Sequence, residues 1–98
     1  MLELRTTAEF GRWLSALRDL RARAKIQVRI ERLLAGNAGD ARAIGGGVSE
    51  LRVDYGPGYR VYYTRRRRVV ILLLCGGDKR TQDIDIARAL HLSRQLED

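Results

Sequence analysis

The 98 residues and 11.1 kDa of this chain suit one domain, residues 1–98, with a single modest core. Apolar residues (45%) and charged residues (32%) stand in globular proportions, which argues against disorder. The longest strictly apolar run, residues 69–75, falls far short of the ~20 residues of a membrane helix. Nineteen Lys and Arg against twelve Asp and Glu leave a net charge of +7, and seventeen of the bases are Arg. Arg carries a planar fork of donors that matches phosphate geometry and keeps its charge near neutrality, so a phosphate polyanion or an acidic protein is the expected partner. No basic segment followed by an apolar one opens the sequence, and the single Cys75 excludes an internal disulfide and a Cys-based zinc cluster. A reducing cytoplasm is the expected compartment.

In chain order, Thr6 and Glu9 fit a capping box, and Phe10, Trp13, Leu14 and Leu17 recur at the helical period. Ala22, Ile26, Ile30, Leu33 and Leu34 form a second apolar face, with Arg and Lys largely around the rest and Gly36 after it. Residues 7–35 therefore read as a helical hairpin or bent helix with a break near Asp19. Residues 50–55 alternate, with Leu51, Val53 and Tyr55 on one side and Glu50, Arg52 and Asp54 on the other. Gly56-Pro57-Gly58 signals a turn, and residues 59–64 alternate again. Arg65 to Arg68 make a charged connection into residues 69–75, which are apolar on both sides and read as a buried central strand ended by Gly76-Gly77. Asp78 or Thr81 can cap a last helix that carries Ile84, Ala87 and Leu90 inward and runs to about Gln95. The expected fold is α+β: an N-terminal helical hairpin packed on a small curved antiparallel sheet, followed by a C-terminal helix.

If the Gly-Pro-Gly turn joins its strands symmetrically, Arg60 lies opposite Asp54 and Arg52 opposite Tyr62. Period-two alternation then puts all four on one face, with Leu51, Val53, Val61 and Tyr63 on the other. Two Arg side chains on a rigid sheet can clamp a phosphodiester, and Tyr62 can stack on a base. An ordinary solvent face with an Asp54–Arg60 cross-strand pair fits the pattern equally well. Residues 76–83 follow a buried strand and precede a helix, which brings Lys79 and Arg80 to the sheet end beside the hairpin. A lysine there can neutralise a pentavalent phosphorane or move a proton. His91 is the only histidine, so a two-histidine nuclease mechanism is excluded, and a surface or helix-end position is expected for it. Cys75 is expected to be an inert buried thiol. Asp78, Asp83 and Asp85 do not have the spacing of a metal loop, and no metal or cofactor is called for.

Thr7-Ala8-Glu9-Phe10, the segment from Leu51 to Tyr62 with its Asp-Tyr-Gly-Pro-Gly-Tyr-Arg-Val core, and Leu74-Cys75-Gly76-Gly77-Asp78-Lys79 with Gln82-Asp83-Ile84 resemble the HigB-like, phage-derived addiction-module killers of the RelE/ParE toxin superfamily. The resemblance covers nearly the whole chain. It implies a small α+β toxin of a type II toxin–antitoxin module, a metal-independent endoribonuclease that cuts mRNA on the ribosome and inhibits translation. It also implies a cognate helix-turn-helix antitoxin as partner, and operator DNA reached through that antitoxin. By motif position, Arg52 falls where RelE-like enzymes carry a functional Lys. Arg60 falls on the Arg of their Gly-Tyr-Arg segment, and Lys79 falls near their basic site after the last strand. These three are the expected catalytic residues, with Tyr62, Arg80 and Gln82 as RNA contacts. RelE also uses a Tyr in its C-terminal part. This sequence has none after Tyr63, so Lys79, Gln82 or Asp85 would have to fill that role. The ParE branch shares the fold, lacks this catalytic set and poisons gyrase. A gyrase inhibitor, or a degenerate toxin acting only in complex with its antitoxin, is therefore the alternative.

Overall fold

The computed structural model describes residues 2–96. Its elements run β1 (Glu3–Thr6), α1 (Ala8–Ala16), α2 (Leu20–Leu34), β2 (Ala41–Gly45), β3 (Val48–Val53), β4 (Tyr59–Arg66), β5 (Val70–Asp78), a 3-10 turn (Lys79–Thr81) and α3 (Gln82–Gln95). The fold is α+β. The strands form one sheet in the order β1-β5-β4-β3-β2, antiparallel except that β1 runs parallel to β5. Helices α1 and α2 cover one face and α3 packs on the other, which makes three layers and two separate apolar clusters. Among the described residues, no helix is long and apolar enough to cross a membrane.

Two helices meet at Asp19, as the periodicity indicates. Asp19 caps α2 by accepting from the backbone N–H groups of Arg21 and Ala22 at 3.0 and 3.1 Å. The expected Thr6–Glu9 capping box is not what opens α1. Thr6 belongs to β1, and Thr7 is the cap: its hydroxyl accepts from Phe10 N at 2.9 Å and donates to Leu74 O at 2.6 Å. That second bond ties the helix start to β5. Glu9 instead pairs with Arg88 of α3. On the α1/α2 side, Phe10, Ile26 and Ile30 pack on Leu51, Val53, Val61 and Tyr63, the apolar strand face read from alternation. Each large side chain buried there contributes ~1.5–3 kcal/mol.

The seven-residue apolar run has a structural cause. Tyr62 pairs with Cys75 but Tyr63 pairs with Leu73, so Leu74 is the extra residue of a bulge in β5. Before the bulge, Ile71 and Leu73 face α1 and α2; Leu74 and Cys75 face α3. Gly76 and Gly77 do not end this strand, contrary to expectation; β5 continues to Asp78. Their lack of a Cβ lets other groups close on the sheet, since a Cβ at 76 would overlap the indole of Trp13 and one at 77 the carboxylate of Asp85. Helix α3 is rotated from the expected face: Ile84 is 74% exposed, Ala87 is also exposed and Leu90 is only partly buried, while Ala89, Leu92 and Ser93 are buried. The 3-10 turn sets this rotation by starting the α-helical phase at Gln82. Arg66 holds the far end of α3 by donating to Ser93 O at 2.7 Å and to Leu96 O, a cation on the carbonyl end of the helix.

Candidate functional site

The β3–β4 hairpin carries the first part of the site. Its turn is longer than the symmetric reading allows: Val53 pairs with Tyr59, and residues 54–58 form the connection. Gly58 N donates to Tyr55 O at 3.1 Å, and both Gly56 (φ 56°) and Gly58 (φ 80°) take the left-handed backbone that favours glycine. The pairing is therefore offset by two residues from expectation. Arg60 lies opposite Arg52, not Asp54, and Tyr62 lies opposite Glu50. A shift of two keeps every side chain on its expected face.

Two arginines directly opposite on one face repel each other. The structure separates them onto different carboxylates. Arg52 reaches Asp40 Oδ1 with Nε at 3.0 Å and Nη2 at 2.8 Å. Asp40 is held in place because Arg29 of α2 donates to the carbonyls of Asp40, Ala38 and Arg52. Arg60 turns towards Glu50, with Nε 4.0 Å from Oε2. Its side chain is only 13% exposed, and Nε is buried without a hydrogen-bond partner.

Glu50 is fully buried and organises the floor of the site. Its Oε2 accepts from Tyr62 OH and from Gln82 Nε2, both at 2.9 Å, and its Oε1 accepts from Arg42 Nε at 3.0 Å. Burial opposes its charge, but the bonds from Gln82, Tyr62 and Arg42 outweigh that and hold the carboxyl below the usual Glu range. Burial and then the bond to Glu50 push the Tyr62 phenol well above its ordinary value. The alternation placed Glu50 on one side with Arg52 and Asp54 but gave it no role. The available signal was a second carboxylate, besides Asp54, on the strand face that carries Arg52.

Arg52, Arg60 and Lys79 line one open cleft of about 370 Å³, together with Asp40, Asp54 and Gly58. Three elements supply the cations: β3, β4 and the 3-10 turn after β5. Lys79 packs beside Gly58, where a Cβ would meet that of Lys79 at 3.5 Å, an ordinary contact; it is the positive φ that favours glycine there. With Arg52 matched to Asp40, the remaining cations of the cleft are Arg60, turned towards Glu50, and Lys79, and the exposed Asp54 also lines it. Such a set suits a phosphodiester, which needs charge neutralisation from two sides.

The other three expected contacts lie elsewhere. Tyr62 is fully buried between the sheet and α3, so its ring cannot stack on a base, and that reading is corrected. Gln82 is half-buried, donates to Glu50 and so braces the floor; it does not line the cleft. Arg80 is exposed and paired with Asp78 at 3.2 Å, in a shallow depression of the 3-10 turn outside the cleft. Asp85 also lies outside the cleft. It sits against Gly77 and accepts from the Thr81 hydroxyl at 2.5 Å, and burial pushes its carboxyl above the ordinary value. Of the candidates for the vacant tyrosine role, Lys79 alone lines the cleft. His91 is exposed on α3, as expected.

The family profile described as phage derived protein Gp49-like (DUF891) matches residues 12–94, a span that includes every residue of the cleft. An uncharacterized protein of Haemophilus influenzae is 50% identical over 95 residues, which cover 97% of this chain and 96% of that relative. The profile spans most of the chain, from within α1 almost to the end of α3, and the chain belongs to the phage-derived Gp49-like family.

Proposed function

We propose that this chain is the toxin of a toxin–antitoxin module, of the HigB-like kind within the RelE/ParE superfamily, and that it cuts mRNA on the ribosome. The observation that carries this reading is the convergence of Arg52, Arg60 and Lys79 on one open cleft. Membership of the Gp49-like family and the net charge of +7 support it. In the reaction, the ribose 2′-oxygen adds to the adjacent phosphorus and its proton passes to a carboxylate of the cleft, Asp54. Arg60 and Lys79 face the negative charge that builds on the phosphoryl oxygens. The P–O5′ bond then breaks, and the Lys79 ammonium gives a proton to the leaving oxygen. A 2′,3′-cyclic phosphate and a free 5′-hydroxyl result, and water returns the protons to their starting sites. Arg52, fixed by Asp40, positions the phosphate. Charge stabilisation of this kind typically supplies about 10²–10³ in rate per donor. The cognate helix-turn-helix antitoxin is the expected partner. An acidic segment of it laid over the cations would neutralise the cleft, and operator DNA would be reached through it.

The test is Arg60→Ala, assayed by primer extension on a message being translated and by growth after induction. Cleavage should fall by about 10²–10³ and growth arrest should be relieved, with the melting profile showing a folded protein. Undiminished cleavage in that variant overturns the assignment. Inhibited supercoiling with intact message in the wild type would replace it with a gyrase poison, and neither activity would leave a chain that acts only in its antitoxin complex.

A further inference from the structure

A second basic depression, of about 580 Å³, lies along α2. Arg21, Lys25, Arg29 and Arg32 line it at helical spacings of four, four and three, so they share one face of the helix. Val28, itself exposed, lies between them. Glu31, the one carboxylate within α2, is not part of the lining, and Asp54 is the only anion that is. Asp54 also lines the cleft of Arg52, Arg60 and Lys79, so the two depressions meet at that residue.

These cations do not serve the helix. Beyond the Asp19 cap, the first turn of α2 holds Arg21 and Arg23 and no acidic residue, so two cations stand at the positive end of the helix dipole against one carboxylate. Like charges repeated at four-residue spacing also disfavour the helix. Among the described residues, Arg29 is bound to backbone carbonyls, whereas no ion pair holds Arg21, Lys25 or Arg32. The Lys25 ammonium lies 5.2 Å from the centre of the Tyr55 ring, which leaves its hydrogen-bond donors open. From residue 21 to residue 32 the helix rises ~16 Å, a length that spans about five stacked nucleotides.

We propose that this face of α2 is a track for the phosphate backbone of single-stranded RNA, continuous with the cleft and independent of base sequence. The inference rests on the reading of the cleft as an RNA site, and it names where the flanking message lies. Three cations held by no ion pair at one helical face, Lys25 resting on the Tyr55 ring, with one carboxylate between them and the cleft, suit a flexible polyanion more than a shaped protein surface, because they set charge without a deep apolar pocket.

The experiment measures the anisotropy of a labelled 20-residue oligouridylate against salt, for the wild type and for Arg21→Gln/Lys25→Gln/Arg32→Gln. Three lost phosphate contacts should make the plot of log K against log salt shallower by about two, and should weaken binding about 100-fold at 0.1 M salt. Arg21→Gln alone should remove about 0.7 of the slope, which guards against a misfolded triple variant. An unchanged slope in both variants overturns the proposal. So does a labelled polyglutamate that binds the wild type more tightly than the RNA does and loses its binding in the triple variant, since the face would then belong to an acidic polypeptide. If the wild type cuts no message but the slope difference appears, the track stands and the nuclease reading falls. If messages are cut and the slope is unchanged, the reverse holds.

Discussion

Replacing Glu50 with Gln tests the floor of the cleft and the energetics of the fold together. Two donors, Tyr62 and Gln82, converge on Oε2, and one, Arg42, on Oε1. An amide keeps one acceptor oxygen. Placed at Oε2, it retains two bonds in weaker, neutral form, while its NH2 group meets Arg42 donor to donor. Hydrogen bonds to a charged partner contribute ~1.5–3 kcal/mol against ~0.5–1.5 for neutral ones, so about 1 kcal/mol is lost at each retained bond. Arg42 is half-exposed and can turn to water, but Arg60, 13% exposed, loses the carboxylate it faces. The total comes to about 2–4 kcal/mol, below the ~3–5 for an uncompensated buried charge because other bonds survive. For a domain of this size that corresponds to a melting point lowered by about 10–30 °C. The sign with pH follows from the depressed native pKa of Glu50. Its contribution is complete above the unfolded value near 4.5 and is lost as the pH falls through the lower native value. Urea unfolding of both proteins from pH 7 to pH 3.5 should therefore show a gap that narrows in acid. A gap under about 1 kcal/mol at pH 7, or one that stays constant into acid, would refute the argument that these donors hold a buried anion.

Three further outcomes follow from other parts of the chain. Cys75, buried under α3, has its thiol pushed up to about 12 by burial and then by the charge of Asp85, so alkylation at pH 8 should track global unfolding; rapid labelling of the native protein would contradict the packing. Asp85 is raised by burial, so its ionised form is the destabilising one: Asp85→Asn should raise the melting point at pH 7, and the gain should vanish as the pH drops below the native pKa and the wild-type carboxyl becomes neutral. Arg68, at φ 66° in the β4–β5 turn, occupies backbone that costs a non-glycine residue ~1–2 kcal/mol, so Arg68→Gly should stabilise by up to about 1 kcal/mol in urea, the greater chain entropy of glycine offsetting the rest.

The elements that the sequence made legible are those whose burial leaves a pattern. Helices α1 and α2 bury one side of a regular pattern, strands β3 and β4 alternate, β5 shows as an unbroken apolar run, and residues 51, 53, 61 and 63 fall on the core face read for them. Strand β1 was not visible because all four of its residues are exposed; its backbone ladder to β5 places it, with Glu3 N donating to Val69 O at 2.6 Å. Strand β2, Ala-Arg-Ala-Ile-Gly, has Ile44 as its one β-branched residue and no aromatic, too little to signal a strand. The rotation of α3 escaped for a related reason. Ile84 looks like a core residue, but the helix buries Ala89 and Ser93 and leaves Ile84 in water.

The same limit explains why Tyr62 fell out of the expected site. Alternation states which face of a sheet a side chain takes, and it assigned Glu50, Arg52, Arg60 and Tyr62 to one face correctly. It does not state how much of that face another element covers. Helix α3 covers the part that holds Tyr62 and Glu50 and stops short of Arg52 and Arg60. A single row of polar side chains is thereby divided into a dry end, where a phenol and an amide bind a carboxylate, and a wet end, where cations line a cleft. The division has a chemical consequence. Arg60 lies at the boundary, with its Nε in the dry part and a small exposed portion at the cleft, and Gln82 at the start of α3 reaches the same carboxylate it faces. Any change that moves the start of α3 must therefore alter the field at Arg60 through Gln82 and Glu50, and it must also shift Lys79 in the adjoining 3-10 turn, so the position of that helix and the strength of both cations are coupled.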